Sequence, residues 1–174
     1  MNIIFDIDGT LMDIDHRRHH VEDSPKDWKG FIRDMEHDTP NIPIRDLMQS
    51  LNNSDNSIFF LSGRSEEHRR ITIEHIEMCG YNHQQQSAEL RPKDDYERIY
   101  YRGGHYDQIL FMRHTNDYRA DSIVKSELYD SLVSEWSYVF NSSTPVIIFD
   151  DRQSVVDMWR DRGLTCCQVA KGDF

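Results

Sequence analysis

Two carboxylates at the end of a short apolar run carry most of the chemical information in this chain. In Phe5-Asp6-Ile7-Asp8-Gly9-Thr10-Leu11, Asp6 and Asp8 are two apart and follow Ile3, Ile4 and Phe5. The apolar, β-branched run predicts a buried strand, and Gly9 lets the backbone turn where it ends. On an extended chain both acids point the same way. A poorly solvated acid pair repels itself unless a cation joins it, and a hard cation such as Mg²⁺ suits carboxylate oxygens. With a metal in place, one carboxylate can attack phosphorus while the other handles protons.

Other strand ends carry polar groups too. Ile58-Phe59-Phe60-Leu61 predicts a second buried strand running into Ser62-Gly63-Arg64. There a hydroxyl and a backbone N–H at a strand-to-helix turn can face a phosphate. Arg64 could grip phosphate oxygens in a two-pronged contact, or lie in solvent. Ile109-Leu110-Phe111-Met112 predicts a third strand, followed by Arg113. Pro145-Val146-Ile147-Ile148-Phe149 predicts a fourth, stopping at Asp150-Asp151. One of these two acids could cap the next helix, and the other is placed to hold the metal. Asp121 and Lys125 lie one turn apart near the start of a helix predicted from Tyr118 to Tyr138. They are either a surface ion pair, worth ~0.3–0.5 kcal/mol, or a functional pair in which Asp121 orients Lys125 towards Asp6 and a phosphate.

The elements between them follow from periodicity. Trp28, Phe31, Ile32 and Met35 share the spacing of one helical face, ended by Pro40 and Pro43. Ile44, Leu47, Met48 and Leu51 mark a helix from Pro43 to Leu51. Another opens at Ser65 as its cap, with Ile71, Ile73, Ile76 and Met78 apolar and Gly80 as its stop. Val155, Val156 and Trp159 mark a last helix ending at Gly163, before a strand from Leu164 to Ala170. Alternating strands and helices imply an α/β fold, a doubly wound parallel sheet of Rossmann-like type. Residues 13–43 read as a small insertion after the first strand, and the whole of 1–174 as one domain. The front of that insertion, Asp15-His16-Arg17-Arg18-His19-His20, invites a zinc reading but reads better as a mobile surface loop.

Composition narrows the partners. The net charge is −11 over 174 residues, so no extended nucleic-acid groove is expected, because non-specific binding draws on clustered Lys and Arg. Cys79, Cys166 and Cys167 form neither a disulfide framework nor a zinc pattern. No run is long enough to span a bilayer, and acids occupy the place of a signal peptide's apolar core. The expectation is a cytoplasmic protein in a reducing compartment that does not touch membranes.

Asp6-Ile7-Asp8-Gly9-Thr10-Leu11, Ser62, Lys125 and Asp150-Asp151 resemble the four motifs of the haloacid dehalogenase-like phosphatases, in order. Asp150-Asp151-Arg152-Gln153-Ser154-Val155-Val156-Asp157-Met158-Trp159-Arg160, the segment Cys167 to Phe174, and Met112-Arg113 through Arg119 to Lys125 are similar to the phosphatase domain of phage polynucleotide kinase-phosphatase. That resemblance implies a Mg²⁺-dependent phosphomonoesterase acting through an aspartyl-phosphate, most simply a polynucleotide 3′-phosphatase. In it Asp6 is the nucleophile, Asp8 the general acid/base, and Lys125 steadies the phosphate, oriented by Asp121. Asp6, Asp8, Asp150 and Asp151 form the metal set, and Thr10, Arg17, Ser62, Gly63, Arg64, Arg113 and Arg119 bind substrate or its phosphate. The implied partners are phosphorylated nucleic-acid ends or nucleotides. No Gly-x-x-x-x-Gly-Lys-Ser/Thr loop occurs, so the kinase half has no counterpart here. Lys93, in a segment echoing residues 112–118, is the second choice for the lysine. Two other functions stay open: a 5′- or 3′-nucleotidase or small-metabolite phosphatase, and an inactive partner of a nucleic-acid repair kinase or ligase.

Overall fold

A computed structural model describes residues 1–22, 24–52, 54, 56–81 and 109–172. Five strands build its main sheet: β1 (Asn2–Phe5), β4 (Ser57–Ser65), β5 (Leu110–Arg113), β6 (Val146–Arg152) and β7 (Thr165–Gly172). Their order is β5-β4-β1-β6-β7, and every neighbouring pair is parallel. β1, entirely buried, is central, with Phe5 beside both Phe60 and Phe149. The Phe5 and Phe149 rings stack at 4.8 Å on one face, and Phe59 meets Trp136 edge-on at 5.4 Å. Burial on both faces is why these runs are continuous in apolar residues and do not alternate.

The topology fixes where a ligand must sit. From β1 the chain builds outward to β4 and β5, then returns to the other side of β1 for β6 and β7. The crevice lies where the winding reverses, beyond the carboxyl ends of β1 and β6. Asp6 leaves one strand there, and Asp150 and Asp151 end the other.

Six α-helices are described: α1 (Asp15–Glu22), α2 (Trp28–Arg33), α3 (Ile42–Asn52), α4 (Arg69–Met78), α5 (Asp121–Glu135) and α6 (Gln153–Asp161). In α5, Val124, Lys125, Leu128 and Leu132 are buried, a stripe one side of the helix can present. In α6 the buried set is Val155, Val156 and Trp159. A second, two-stranded antiparallel sheet pairs β2 (Met12–Asp13) with β3 (Thr39–Pro40). It ties together the two ends of the segment containing α1, α2 and a 3₁₀ turn, Asp34–His37.

Several local expectations need correction. The His-rich front is not a loop but helix α1, because Arg17 and Val21 are buried and anchor it. Of the four apolar residues around α2, Phe31 and Met35 are buried, but Trp28 and Ile32 stay exposed. The helix gives way to the 3₁₀ turn after Arg33, so one face cannot hold all four. Ser65 belongs to β4 and makes no side-chain cap; the 3₁₀ turn Glu66–His68 intervenes before α4. Neither Asp150 nor Asp151 caps α6, whose cap position is Arg152. The cysteines are free: Cys79 and Cys166 are buried and Cys167 is exposed. Lys93 and the echo segment around it lie outside the described residues.

Candidate active site

Two charge clusters meet at the carboxyl end of the sheet. The first gathers Asp6, Asp150 and Asp151, all buried, with ligand oxygens within 4.8 Å of one another. Their packing depends on glycine: at Gly9, held at φ +76°, a Cβ would lie 2.2 Å from Asp151 Oδ2, and at Gly172 one would lie 2.6 Å from it. Lys125 reaches into the cluster from the first turns of α5. Its Nζ stands 2.8 Å from Asp6 Oδ1 and 2.8 Å from Asp150 Oδ2, with Asp121 Oδ2 at 3.9 Å. It is a buried lysine among acids, not the surface pair that its spacing alone allows.

The electrostatics follow from that crowding. Burial, reinforced by Asp150 and Asp151 against the pull of Lys125, pushes the Asp6 carboxyl well above the usual range. Burial likewise pushes Asp151 up to about 6. Burial works against the charge of Lys125 as well, but Asp150 and Asp6 outweigh it and hold the ammonium well above its ordinary value. Three carboxylates against one ammonium leave a deficit of positive charge. Asp151 Oδ2 is also buried without a hydrogen-bond partner, which a native interior rarely leaves uncompensated. A divalent oxygen-seeking cation fits both observations.

Asp121 is itself held in place. Arg113 donates through Nη2 to Asp121 Oδ1 at 2.9 Å and through Nε to the Gly63 carbonyl at 2.7 Å. A Cβ on Gly63 would come within 2.2 Å of Asp121 Oδ1. Arg113 thus braces the end of β4 against the start of α5. Arg119 does not join the cluster; its half-exposed guanidinium lies on Asp117 and Glu127. Ser62 is buried and accepts from the Arg64 N–H at 3.2 Å. The Thr10 hydroxyl, two residues after Asp8, is buried with no hydrogen-bond partner.

The second cluster surrounds Asp8. Arg17 Nη2 donates to Asp8 Oδ1 at 2.7 Å, and Arg64 Nε donates to the same oxygen at 2.9 Å. Behind both guanidiniums sits Asp38, which accepts from Arg17 Nε at 2.6 Å, Arg17 Nη2 at 2.6 Å and Arg64 Nη2 at 2.8 Å. Asp38, which joins the two arginines, is a residue that sequence reasoning missed. Burial opposes the charge of Asp8, but Arg64 and Arg17 overcome it and hold that carboxyl far below the usual range. In this state both arginines face Asp8 and Asp38, where the sequence had them contacting substrate.

His75 closes the back of this second cluster. Arg64 Nη1 lies 2.9 Å from His75 Nδ1; a guanidinium can only donate, so Nδ1 must be unprotonated. Burial first, then Arg64, depress its pKa from 6.5 to about 4. The fold therefore prefers neutral His75, and this stability is complete above pH 6.5 and lost as pH falls towards 4. His75→Gln, which keeps an acceptor for Arg64, will abolish about 2–3 kcal/mol of the acid-side loss. Urea unfolding of both proteins at pH 7 and pH 4.5 measures it; equal pH dependence would rule the assignment out.

This arrangement has known counterparts. The model of the polynucleotide kinase PNKP phosphatase domain matches residues 1–174. Among solved structures, a chain of the Pnkp1/Rnl/Hen1 complex aligns at 27% identity and TM-score 0.64, covering 99% of this chain and 47% of that one. A chain of the Pnkp1/Rnl/Hen1 RNA repair complex aligns at 27% identity and TM-score 0.63, covering 99% of this chain and 43% of that one. This chain thus spans less than half the length of those it matches. With its acids on the end of the central strand and its match from end to end, it belongs to the PNKP phosphatase-domain family of haloacid dehalogenase-like phosphatases.

Proposed function

We propose that this protein removes 3′-phosphates from polynucleotide ends through an aspartyl-phosphate on Asp6. The observation that carries the reading is Asp6 itself, leaving the central strand with Lys125 at 2.8 Å and two further acids alongside. Asp6 attacks phosphorus, and the ester oxygen departs with a proton from Asp8. Asp8 then takes a proton from water, whose oxygen displaces Asp6 and releases phosphate. Lys125 offsets charge on the phosphoryl oxygens, and the Thr10 hydroxyl and the Gly63 N–H offer donors to them. Asp8 needs a proton for the first step, yet Arg17 and Arg64 hold it ionised. A substrate phosphate drawing those guanidiniums away frees Asp8 to become an acid, which joins their two roles. The segment between β2 and β3 covers the site as a cap, and Asp38 comes from it.

Mg²⁺ is the cofactor of this reading: Asp6, Asp150 and Asp151, with the main chain of Asp8, would hold it, and it would supply charge neutralisation and a fixed orientation for the phosphate. Adding Mg²⁺ will raise thermal stability by linkage, by about 2.7 kcal/mol at a hundredfold excess over Kd. Differential scanning fluorimetry across a Mg²⁺ titration reads this directly. No shift with Mg²⁺, or full activity in excess EDTA, would remove the cofactor from the reading.

The complexes containing the solved relatives, one of them described as an RNA repair complex, support a nucleic-acid end as substrate. The deciding experiment is phosphate release from 3′- and 5′-phosphorylated oligonucleotides and mononucleotides. A higher kcat/KM on 3′-phosphorylated oligonucleotides is expected. Preference for 5′-mononucleotides would replace the polynucleotide assignment with a nucleotidase.

A further inference from the structure

We infer that Trp28, on the exposed side of α2, is a stacking platform for a base just upstream of the terminal phosphate. The inference rests on the polynucleotide reading above. Of the three tryptophans, Trp136 and Trp159 are 5% and 0% exposed, whereas Trp28 is 50% exposed. Trp28 is therefore the tryptophan whose indole a ligand can reach.

Its position ties it to the chemistry. Trp28 stands edge-on to Phe31, with ring centroids 6.0 Å apart. The other neighbour of Phe31 is Arg17, whose guanidinium carbon lies 4.1 Å from the ring centre. Arg17 also donates to the Phe31 carbonyl, and its Nη2 holds Asp8. One ring therefore separates the exposed indole from the guanidinium on the catalytic acid.

Charge identifies the occupant. Lys26 and Lys29 flank Trp28 in sequence with Asp27 between them, in a chain of net charge −11, while Arg33 is paired with Asp34. Lys26 and Lys29 are exposed on either side of Trp28, and Lys26 Nζ sits 5.6 Å from the indole centre. An aromatic face flanked by ammonium groups fits a base and its phosphate, because stacking accepts any base while the lysines meet the backbone. An acidic or purely apolar protein segment would use only half of these features.

The test uses the full chain with a 3′-phosphorylated pentanucleotide and a 3′-mononucleotide. In an Asp6→Asn background, where nothing is turned over, the pentanucleotide will quench tryptophan emission and shield it from acrylamide, and the mononucleotide will do neither. In the active protein, Trp28→Ala will raise KM for the pentanucleotide about tenfold, leaving its kcat and the mononucleotide's kcat/KM unchanged. Trp28→Phe will restore most of the loss. Equal effects on both substrates, or no shielding by the pentanucleotide, would overturn the platform while leaving the phosphatase reading intact. Failure of wild type to release phosphate from any 3′-phosphorylated oligonucleotide would instead remove that reading, and the shielding measurement would still decide whether the indole stacks on nucleic acid.

Discussion

Asp6→Asn will slow turnover by roughly four orders of magnitude or more, the usual scale for removing a nucleophile, yet will fold as well as wild type. The amide is a poor nucleophile, and no other buried acid occupies its place after β1. The stability half of the expectation comes from the charge balance. Asp6 shares a buried cavity with Asp150 and Asp151, so neutralising it relieves repulsion, while the amide oxygen can still accept from Lys125. Without metal, the variant's melting temperature should match or exceed that of wild type, in the manner of active sites that trade stability for function. The Mg²⁺-induced rise should shrink in parallel. Single-turnover assays on protein purified free of wild type, alongside thermal melts, measure both. Near-normal rates would exclude the aspartyl-phosphate.

Asp38→Ala is expected to be the most destabilising change in the molecule's polar interior. It leaves Asp8 as the one carboxylate shared by Arg17 and Arg64, with both guanidiniums still buried. Breaking a buried ion pair by removing one partner typically costs about 3–5 kcal/mol. Asp38→Asn keeps the shape and one acceptor and should lose less. Both should also lower kcat more than they raise KM, because Asp8 loses the brace that orients its partners. Urea unfolding paired with steady-state kinetics provides the check. A loss below about 1 kcal/mol would mean that Asp8 suffices for two guanidiniums.

The sequence made some of this site plain and concealed the rest, for identifiable reasons. Asp6, Asp150 and Asp151 were legible because each follows an apolar run whose burial the pattern announces. Lys125 was legible only in part: spacing alone could not tell a surface pair from a buried one, which depends on α5 turning that side chain inward. Asp38 had no local signal. It is a single acid in a polar stretch, and its partners Arg17 and Arg64 are 21 and 26 residues away. Arg113 was singled out for its place after a strand, but its bracing contacts with the Gly63 carbonyl and Asp121 had no signal in the sequence. Helix α1 was hidden by its own composition: five of its eight residues are His or Arg, and only the burial of Arg17 and Val21 makes it a packed element. Strand ends were misplaced because β4 and β6 continue past their apolar runs into the polar residues of the site.

The central position of β1 also governs how the molecule comes into being. Residues 2–5 pair with 57–60 on one side and 146–149 on the other, so the central strand is flanked by one made about 55 residues after it and another made about 144 residues after it. Contacts so distant along the chain close slowly, because loop entropy is lost before they form. Until β6 is made, Ile3, Ile4 and Phe5 lack one edge partner, and Asp6 lacks the acids with which it shares the crevice. Between the synthesis of β4 and that of β6 a nascent chain therefore carries an apolar strand with one open edge, a period in which chaperone protection matters most. The catalytic centre arises only when both halves of the sheet close on the same strand.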